Sequence, residues 1–327
     1  MQIHDRVYGE VQIDNPVLIE LMHSAPLQRL KRINQAGVAQ YVLPRKNITR
    51  YEHCVGVMIL LKRLGASLEE QIAGLLHDVP HTAFSHVIDF VFASERHDYH
   101  ENFLEKIVMA SEIPEIIKRY GLSLPTILDE TNFLLLEREI PDLCSDRVDY
   151  SLRDMLAYVG HPERIQYYLL HLINHNNEIM FNDQQAAVSF AQDYLMMNES
   201  CWAHPKEVAM CQVMADAIKI ALKEGILTEE SLFSDDETVY RLLKESMHPE
   251  ILKILHHLQP GFDIVIDPVD YDFFTKTKLR MVDPKFINSN GMEQRVTEIN
   301  SDYDAALGVH YKKMSEGYHI KLVSKAE

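Results

Sequence analysis

The chain has 327 residues, of which 46% are hydrophobic and 25% are charged, and its formal net charge is −17. This composition indicates a globular protein with one large core or two domains, and the excess of acids disfavours non-specific binding to nucleic acid or anionic membranes. The longest apolar runs, such as VMILL, are too short to span a bilayer.

The first half of the chain is predicted to be a short hairpin followed by helices. Residues 1–14 alternate weakly in polarity and contain Gly9, which favours a hairpin. From Asn15 to about Leu172 the apolar residues have helical spacing. The run YEHCVGVMILLKRLG, for example, predicts a helix that ends at Gly65.

The next helix leads into a segment that is unusually rich in ionisable groups. Ser67 and Glu70 have capping-box spacing, and Pro80 ends the helix near Asp78. The stretch IAGLLHDVPHTAFSHVIDF, residues 72–90, then holds three histidines and two aspartates among apolar residues. A protein core rarely accepts so many titratable groups without partners. A metal and a substrate as those partners would indicate an enzyme, whereas water would indicate an unusual surface helix.

The remaining pattern predicts a mainly α fold with a small mixed end. Helices are expected over 141–160 and 204–225, and a further helix in DYDAALGVHYKKMSEG. After about Pro260 four runs resemble strands: FDIVID, KLRMVDPKF, RVTEIN and YHIKLV. We therefore predict a helical body over residues 1–225 and a C-terminal helical and α+β portion over residues 226–327.

Four separated residues have the character of a metal site. His53 lies one turn after Arg50 on one helix, His77–Asp78 ends the next helix, and Asp146 lies on a later one. Mixed imidazole and carboxylate ligands suit Mn, Fe, Zn, Ni or Mg and leave positions open for water and phosphate. We interpret the other two HD dipeptides, at 4–5 and 97–98, as surface pairs.

Two other acidic features have a plainer interpretation. Asp149 is expected to pair with a neighbouring arginine instead of binding metal. The tract SDDET, residues 234–238, is expected to be a solvated loop or the start of a helix.

The motifs TRYEHCVGV, AGLLHDVPHTAFSH and DLCSDRVDY, in this order, resemble the HD-domain phosphohydrolase superfamily. Within it the chain most resembles the deoxynucleoside triphosphate triphosphohydrolases, and the likeness covers residues 1–160 well. The resemblance implies an HD-domain helical body that binds a divalent metal ion. The implied metal ligands are His53, His77, Asp78 and Asp146.

The resemblance also implies roles around the substrate. His81, His86 and His100 would surround the phosphates, and His86 with Asp89 would donate a proton to the leaving 5′ oxygen. His86 and Asp89 are three positions apart, so they share a face if the segment is helical. The implied substrate contacts are Arg50 and Arg147 to phosphate, Tyr150 and Asp154 to the sugar, and Gln35 to its 3′-hydroxyl.

The sequence departs from this group at several positions. His23 and Lys31 replace residues of the animal enzyme's guanine-reading regulatory site, so its GTP-activated assembly is not expected here. Tyr194 stands where relatives often have an arginine, and Asn198 and Trp202 each stand where they have a tyrosine. These changes put the triphosphate and base contacts in question, while the metal ligands are untouched.

The sequence thus predicts a metal-dependent nucleotide phosphohydrolase whose first candidate substrate is a deoxynucleoside triphosphate. The alternatives are a phosphatase that releases orthophosphate from another phosphorylated molecule and a nucleotide-binding regulatory module with weak catalysis. A di-iron oxygenase is disfavoured because no clear extra histidine set is visible. Four separated cysteines and the absence of a signal-like N-terminus favour a cytoplasmic protein, and the resemblance implies a homodimer or a higher homo-oligomer.

Overall fold

A computed structural model describes residues 1–92 and 99–323, and this part of the chain is mainly helical. The α-helices are α1 Pro16–Met22, α2 Ala25–Arg29, α3 Ala39–Val42, α4 Arg50–Arg63, α5 Leu68–Leu76, α6 Val87–Val91, α7 Leu104–Met109, α8 Ile113–Arg119, α9 Leu124–Leu128, α10 Ser145–Asp154, α11 Pro162–His171, α12 Gln184–Met197, α13 Pro205–Lys223, α14 Glu229–Leu232, α15 Asp236–Glu245, α16 Pro249–His257, α17 Val296–Ile299 and α18 Ser301–Glu316. Short 3₁₀ helices are Leu30–Arg32, Tyr99–Phe103 and Glu130–Asn132, and π-helical turns are Met155–Val159 and Asn198–Trp202. The predicted mainly α class with a small β content is confirmed.

The strands form three small sheets at the periphery of the helical body. Their bounds are β1 Gln2–Asp5, β2 Gly9–Gln12, β3 Leu172–His175, β4 Glu178–Phe181, β5 Ile264–Ile266, β6 Phe273–Thr275, β7 Lys285–Ile287, β8 Glu293–Arg295 and β9 Tyr318–Leu322. The first two form the predicted hairpin, and the other sheets have the orders β3-β4-β7-β8 and β5-β9-β6. Because β4 pairs with β7, one sheet joins strands from both sides of residue 225; the domain boundary there stays a prediction.

Two hydrophobic cores hold the helices together, and the chain alternates between them. The first core packs α1, α4, α5, α10 and α12 with the N-terminal hairpin and β7. The second packs α13, α15 and α16 with the C-terminal sheet and residues 83–88. The segment after α5 therefore leaves the first core at Val79 and enters the second at Ala83. The titratable segment recognised in the sequence is the crossing between the two cores.

Several predicted boundaries were wrong for local reasons. The helix expected from Pro141 begins at Ser145, because the backbone at Cys144 is extended and the Pro141 carbonyl accepts a bond from the Asp283 N–H. In RVTEIN only Arg295 is in a strand, and the following residues form α17, at whose start the Glu298 carboxylate accepts the Arg295 N–H. The run KLRMVDPKF has strand structure only from residue 285.

The predicted capping box at α5 is half formed. The Ser67 hydroxyl accepts the Glu70 N–H, but the Glu70 carboxylate turns to the N–H groups of Leu135 and Leu136. A complete box starts α4, where Thr49 and Glu52 cap each other.

A buried ion network ties the N-terminal hairpin to the helices. Arg153 donates to Asp149 through Nε at 2.7 Å and to Asp5 through Nη2 at 2.8 Å, while the Tyr8 hydroxyl donates to Asp149 at 2.8 Å. Asp149 thus pairs with an arginine as expected. The surface interpretation of residues 4–5 was wrong for Asp5, which is 6% exposed, and residues 97–98 lie outside the described part of the chain.

Gly56 is the point where this network leaves no room for a side chain. A Cβ atom there would lie 1.8 Å from Arg153 Nη2 and 2.2 Å from Asp149 Oδ1. Gly56→Ala is therefore expected to separate the buried pair and to lower the free energy of unfolding by about 3–5 kcal/mol. Urea unfolding of the metal-free protein, monitored by circular dichroism, measures this loss.

Gly308, on the exposed side of α18, is the matched control, because a Cβ there would meet nothing within 4 Å. Gly308→Ala is expected to raise the free energy of unfolding by about 0.5–1 kcal/mol through helix propensity. Equal stability of the two variants would contradict a rigid network behind Gly56.

Candidate metal centre and substrate cavity

Three helices bring the four predicted metal ligands into one cluster. His53 is on the first turn of α4, His77 and Asp78 follow directly after α5, and Asp146 is on the first turn of α10. The Oδ1 atom of Asp146 lies 2.9 Å from His53 Nε2 and 3.6 Å from His77 Nε2. The Asp78 carboxylate lies 3.8 Å from His53 Nε2 and 3.5 Å from His77 Nε2.

The two imidazoles are oriented by partners behind them. His53 Nδ1 lies 2.9 Å from Asp149 Oδ2, and His77 Nδ1 lies 2.8 Å from the Gly74 carbonyl oxygen. Metal-binding histidines commonly use one ring nitrogen in this way, which directs the other toward the metal. The Nε2 atom of His77 is buried and has no hydrogen-bond partner within the described residues. These donors therefore fit a divalent metal ion, with the two Nε2 atoms and two carboxylates as ligands.

The electrostatics of the cluster favour positive charge. Burial opposes ionisation of Asp78, but Arg50 and His77 hold the pKa of its carboxyl well below its usual range. The hydrogen bond from His53, together with the nearby His77 ring, likewise overcomes burial and keeps the pKa of Asp146 low. Burial lowers the affinity of His77 for a proton, yet Asp78 and Asp146 raise its pKa to about 10. Ionised carboxylates thus converge on positions that a cation or a protonated imidazole must neutralise.

A second group of ligand atoms lies beside the first. Asp78, His81 and His100 offer atoms that all lie within 4.8 Å of one another. The rings of His81 and His100 stack with their centroids 3.6 Å apart. Burial, with the nearby charge of His86, lowers the pKa of His100 to about 3, so its ring is neutral and can bind a cation or donate to phosphate. The sequence argument against an extra histidine set was therefore wrong.

His86 and Asp89 form the predicted pair at the N-terminal end of α6. His86 Nδ1 lies 3.0 Å from Asp89 Oδ2, and the second oxygen of Asp89 accepts the Tyr99 N–H. Asp89 is 1% exposed, whereas His86 lies partly open to the cavity. An aspartate on one ring nitrogen orients the ring and favours its protonated form, as a general acid requires. The catalytic role of the pair stays a prediction.

A strained loop sets the positions of His81 and His86. Phe84 and Ser85 have φ angles of 60° and 54°, which non-glycine residues seldom adopt and which cost roughly 1–3 kcal/mol each. Asp236 holds this loop, because its carboxylate accepts the N–H groups of Phe84 and Asn34 at 2.7 and 2.9 Å. The tract SDDET contains the start of α15, as one predicted alternative had it, but the solvated interpretation was wrong for Asp236, which is 4% exposed.

The predicted site residues face one cavity of about 980 Å³. All thirteen except His53 and Asp89 line its wall, and these two lie directly behind lining residues. A volume of this size accommodates a nucleotide. Near the metal cluster the wall also includes Glu137, which together with the buried Cys144 and with Asp146 forms a third group of ligand atoms.

The two predicted phosphate arginines differ in how they are engaged. Arg50 is 2% exposed, donates through Nε to Ser85 at 2.7 Å and pairs with Asp78. Its Nη2 atom is buried and has no hydrogen-bond partner within the described residues. Arg147 instead donates to the carbonyl oxygens of Asp142 and Arg138. Arg50 thus has hydrogen-bonding capacity for a phosphate, while most N–H groups of Arg147 that face the cavity are already used.

The two residues predicted to contact the sugar, Tyr150 and Asp154, both line the cavity, and each is hydrogen-bonded to another protein side chain. The hydroxyl groups of Tyr150 and Tyr194 lie 2.6 Å apart, and Trp202 Nε1 donates to Asp154 at 2.6 Å. Gln35 Oε1 lines the cavity and is a buried acceptor without a partner in the described structure. Tyr194 and Trp202, noted as departures from the resembling group, therefore shape the substrate end of the cavity.

Another group in the wall was missed from the sequence. Lys46 pairs with Glu207 at 2.7 Å, donates to Cys201 Sγ at 3.1 Å and lies over the Tyr158 ring. These residues are far apart in the chain and match no motif. Only the burial of Lys46, in the loop between α3 and α4, marks this group, and burial cannot be read from the sequence.

Comparison with known proteins places the chain among hydrolases. An HD-domain family profile matches residues 50–144. The uncharacterized protein YdhJ of Bacillus subtilis is 40% identical over 99% of this chain and 100% of its own length. The metal-dependent phosphohydrolase cns2 of Cordyceps militaris is 30% identical over 79% of this chain and 77% of its own length.

Two further similarities bear on fold and substrate. The deoxynucleoside triphosphate triphosphohydrolase SAMHD1 of Bos taurus is 30% identical over 42% of this chain and 26% of its own length. The crystal structure of a phosphohydrolase from Bacteroides thetaiotaomicron covers all of both chains with a TM-score of 0.68 at 18% identity, which shows the same fold. Within residues 1–92 and 99–323, no helix has the length and apolar character needed to cross a membrane.

Asp146→Asn is expected to remove metal, because Asp146 faces both ligand imidazoles. The affinity for Mn²⁺ should fall by more than the about 10- to 100-fold that loss of a supporting partner costs. Elemental analysis after equilibration with Mn²⁺ measures the ions per chain, and a value near two for the unaltered protein would show that the second ligand group is also filled.

Glu139→Gln is the matched control, because Glu139 lines the cavity outside the three ligand groups. Its metal content should equal that of the unaltered protein. Full metal occupancy in Asp146→Asn would contradict the assigned centre.

Proposed function

The chain belongs to the HD-domain metal-dependent phosphohydrolases, and from this premise we propose that it hydrolyses deoxynucleoside triphosphates to deoxynucleosides and inorganic triphosphate. The observation that carries the proposal is that the metal ligands, the neutral histidines and the His86–Asp89 pair open onto one cavity of nucleotide size. The similarity to SAMHD1 supports the deoxynucleotide as substrate class. The bond that breaks would be the one between the α-phosphorus and the 5′ oxygen.

The metal is proposed to be held by His53, His77, Asp78 and Asp146. When bound, a divalent ion there supplies Lewis acidity toward phosphate oxygens and lowers the pKa of adjacent water. The chain's own groups supply the rest of the charge stabilisation around the phosphate, which is usually the largest contribution to catalysis.

Two groups are assigned to donate to the phosphate oxygens. Arg50 lines the cavity, and its buried Nη2 has no partner in the described structure, so it can donate to phosphate. The buried Nδ1 of His100 also has no partner there, and as a neutral ring His100 can donate one hydrogen bond without adding a charge that would repel the metal. A neutral His81 has a single N–H, which its Nε2 gives to Asp78 Oδ1 at 3.2 Å, so its Nδ1 can only accept.

His86 is assigned the proton that the leaving 5′ oxygen needs. Asp89 holds Nδ1, so Nε2 is the ring nitrogen that carries this proton. The negative charge of Asp89 is fully enclosed by protein and stabilises the imidazolium before transfer. Water supplies the oxygen that bonds to the α-phosphorus, and the His86 proton completes the nucleoside hydroxyl.

A phosphatase that releases orthophosphate is the second candidate, and the engagement of Arg147 favours it. Arg147 donates hydrogen bonds to the Asp142 and Arg138 carbonyl oxygens, and Trp202 donates one to a carboxylate oxygen of Asp154. A substrate with fewer phosphates or a different sugar would need fewer of these groups. The similarity to cns2 extends over more of the chain than that to SAMHD1 and is compatible with either product.

We also propose that the protein is a cytoplasmic homo-oligomer. All four cysteines are free, as a reducing compartment requires. Val265, Ile266 and Phe274 are exposed apolar residues on the C-terminal sheet, where a second copy could pack. Light scattering coupled to size-exclusion chromatography measures the mass in solution.

The substrate proposal is tested with the Mn²⁺-loaded protein and a panel of dNTPs, NTPs and nucleoside monophosphates, analysed by anion-exchange chromatography and ³¹P NMR. We expect equimolar deoxynucleoside and tripolyphosphate. Orthophosphate as the only phosphate product would establish the second candidate instead. Tight nucleotide binding without any product would indicate a regulatory module.

His86→Ala is expected to lower kcat by about 10²- to 10⁴-fold, the usual contribution of a general acid, with metal content unchanged. His171→Ala is the matched control, because His171 ends α11 and contacts Asn182 outside the cavity. Equal kcat values for the two variants would remove His86 from the mechanism.

A further inference from the structure

The cations in the cavity wall differ in whether a carboxylate already neutralises them. Lys46 pairs with Glu207 at 2.7 Å, and Arg50 pairs with Asp78. Arg147 approaches the Glu137 carboxylate at 3.2 Å. Each of these positive charges is therefore balanced by a nearby carboxylate, and Lys46 also donates to Cys201 Sγ.

Two cations in the same wall are not balanced in this way. The segment 277–280, between β6 and β7, lines the cavity and carries Lys278 and Arg280. Across residues 1–92 and 99–323, neither side chain forms an ion pair or a hydrogen bond. Both belong to the C-terminal portion, whereas the metal ligands all lie between residues 53 and 146.

The backbone of Arg280 is held in place by a buried amide. Asn198 is 0% exposed, and its Nδ2 donates to the Arg280 carbonyl oxygen at 2.7 Å. The same amide group lies 2.6 Å from His310 Nε2 on α18. Asn198 thus fixes the backbone of the segment at Arg280, and His310 in turn contacts Asn198.

Arg280 lines the same cavity as the tyrosine pair and the predicted metal ligand Asp146. Tyr150 is one helical turn from Asp146 on α10, and its hydroxyl lies 2.6 Å from that of Tyr194. Burial raises the pKa of both hydroxyls, and the positive charges of Arg147 and Arg280 oppose that rise. Arg280 therefore adds a positive charge to the cavity that also contains the metal cluster.

From these contacts we infer that Arg280, assisted by Lys278, binds the β- and γ-phosphate oxygens of a polyphosphate substrate. This inference rests on the proposed function. A chain of three phosphates brings several negative charges into a wall that also contains Glu130, Glu137 and Glu139. Unbalanced cations must offset that repulsion, and a guanidinium can donate two parallel hydrogen bonds to one phosphate. The segment therefore selects triphosphates over monophosphates.

The test measures phosphate binding directly. Calorimetry with Mn²⁺-loaded protein, in fixed excess Mn²⁺, gives the Kd of inorganic tripolyphosphate, orthophosphate and a deoxynucleoside. Arg280→Gln is expected to raise the Kd of tripolyphosphate and the KM for dNTP by about 10- to 100-fold, as loss of charge-assisted hydrogen bonds predicts. The Kd of the deoxynucleoside should not change, and Arg280→Lys should recover part of the loss.

Lys276→Ala is the matched control. Lys276 belongs to the same stretch but lies over the Phe274 ring and does not line the cavity. Thermal unfolding and metal content of each variant separate a binding effect from misfolding, and Lys278→Ala gives a second, exposed probe if Arg280→Gln is unstable. Unchanged tripolyphosphate binding in both cavity variants would overturn the inference.

The outcomes also separate this inference from the proposed function. If the wild-type protein hydrolyses dNTPs and Arg280→Gln binds tripolyphosphate with the wild-type Kd, the inference is refuted and the proposed function stands. A wild-type protein that releases no tripolyphosphate from any dNTP refutes the proposed function, and the calorimetric comparison still decides whether Arg280 binds polyphosphate.

Discussion

The candidate metal centre depends on Asp149, whose carboxylate lies behind the cavity wall and does not line the cavity. It is 0% exposed and receives hydrogen bonds from His53, Arg153 and Tyr8, so it joins α4, α10 and the N-terminal hairpin at one point. Together Asp149 and Asp5 bring two negative charges to the single positive charge of Arg153. The remaining negative charge favours a cation on the far side of the His53 ring. Fold stability and metal affinity therefore have a common origin.

The histidines beyond the metal cluster depend on a different constraint. The chain crosses from the first hydrophobic core at Val79 to the second at Ala83, so the ends of the crossing are fixed by packing while His81 and Thr82 lie between them. Asp236 closes this crossing from α15 by accepting two backbone N–H groups. Gly37 permits the close approach, because a Cβ atom there would lie 2.5 Å from the Phe84 carbonyl oxygen. The left-handed residues in the loop are thus held by contacts from several distant elements.

Local pattern was enough to predict the mainly helical class and the hairpin, which depend on spacing within short segments. The ordered motifs named the four residues that the structure brings close together, and their role as metal ligands stays a prediction. Local pattern failed where a distant partner decides the structure. The start of α10 is set by a bond between Pro141 and Asp283, and the burial of Asp236 by contacts with residues 34 and 84. The β3–β4 hairpin was also missed, although its Asn176–Asn177 turn, with both φ angles positive, is a recognisable signal.

The departures at Tyr194 and Asn198 illustrate the same limit. Considered alone they indicated lost substrate contacts, but in the structure Tyr194 bonds to Tyr150 and Asn198 fixes the backbone of Arg280. No pairwise spacing in the sequence connects residue 198 to residue 280. The meaning of such a replacement depends on which remote segment packs against it.

The order of these segments along the chain has a consequence for synthesis. All four residues of the metal cluster are synthesised well before residues 277–280, and β7, α18 and β9 follow these. The part of the cavity wall that carries Lys278 and Arg280 is therefore added after the whole metal cluster has been made. A polypeptide that lacks its final hundred residues would contain the four clustered residues without that part of the wall.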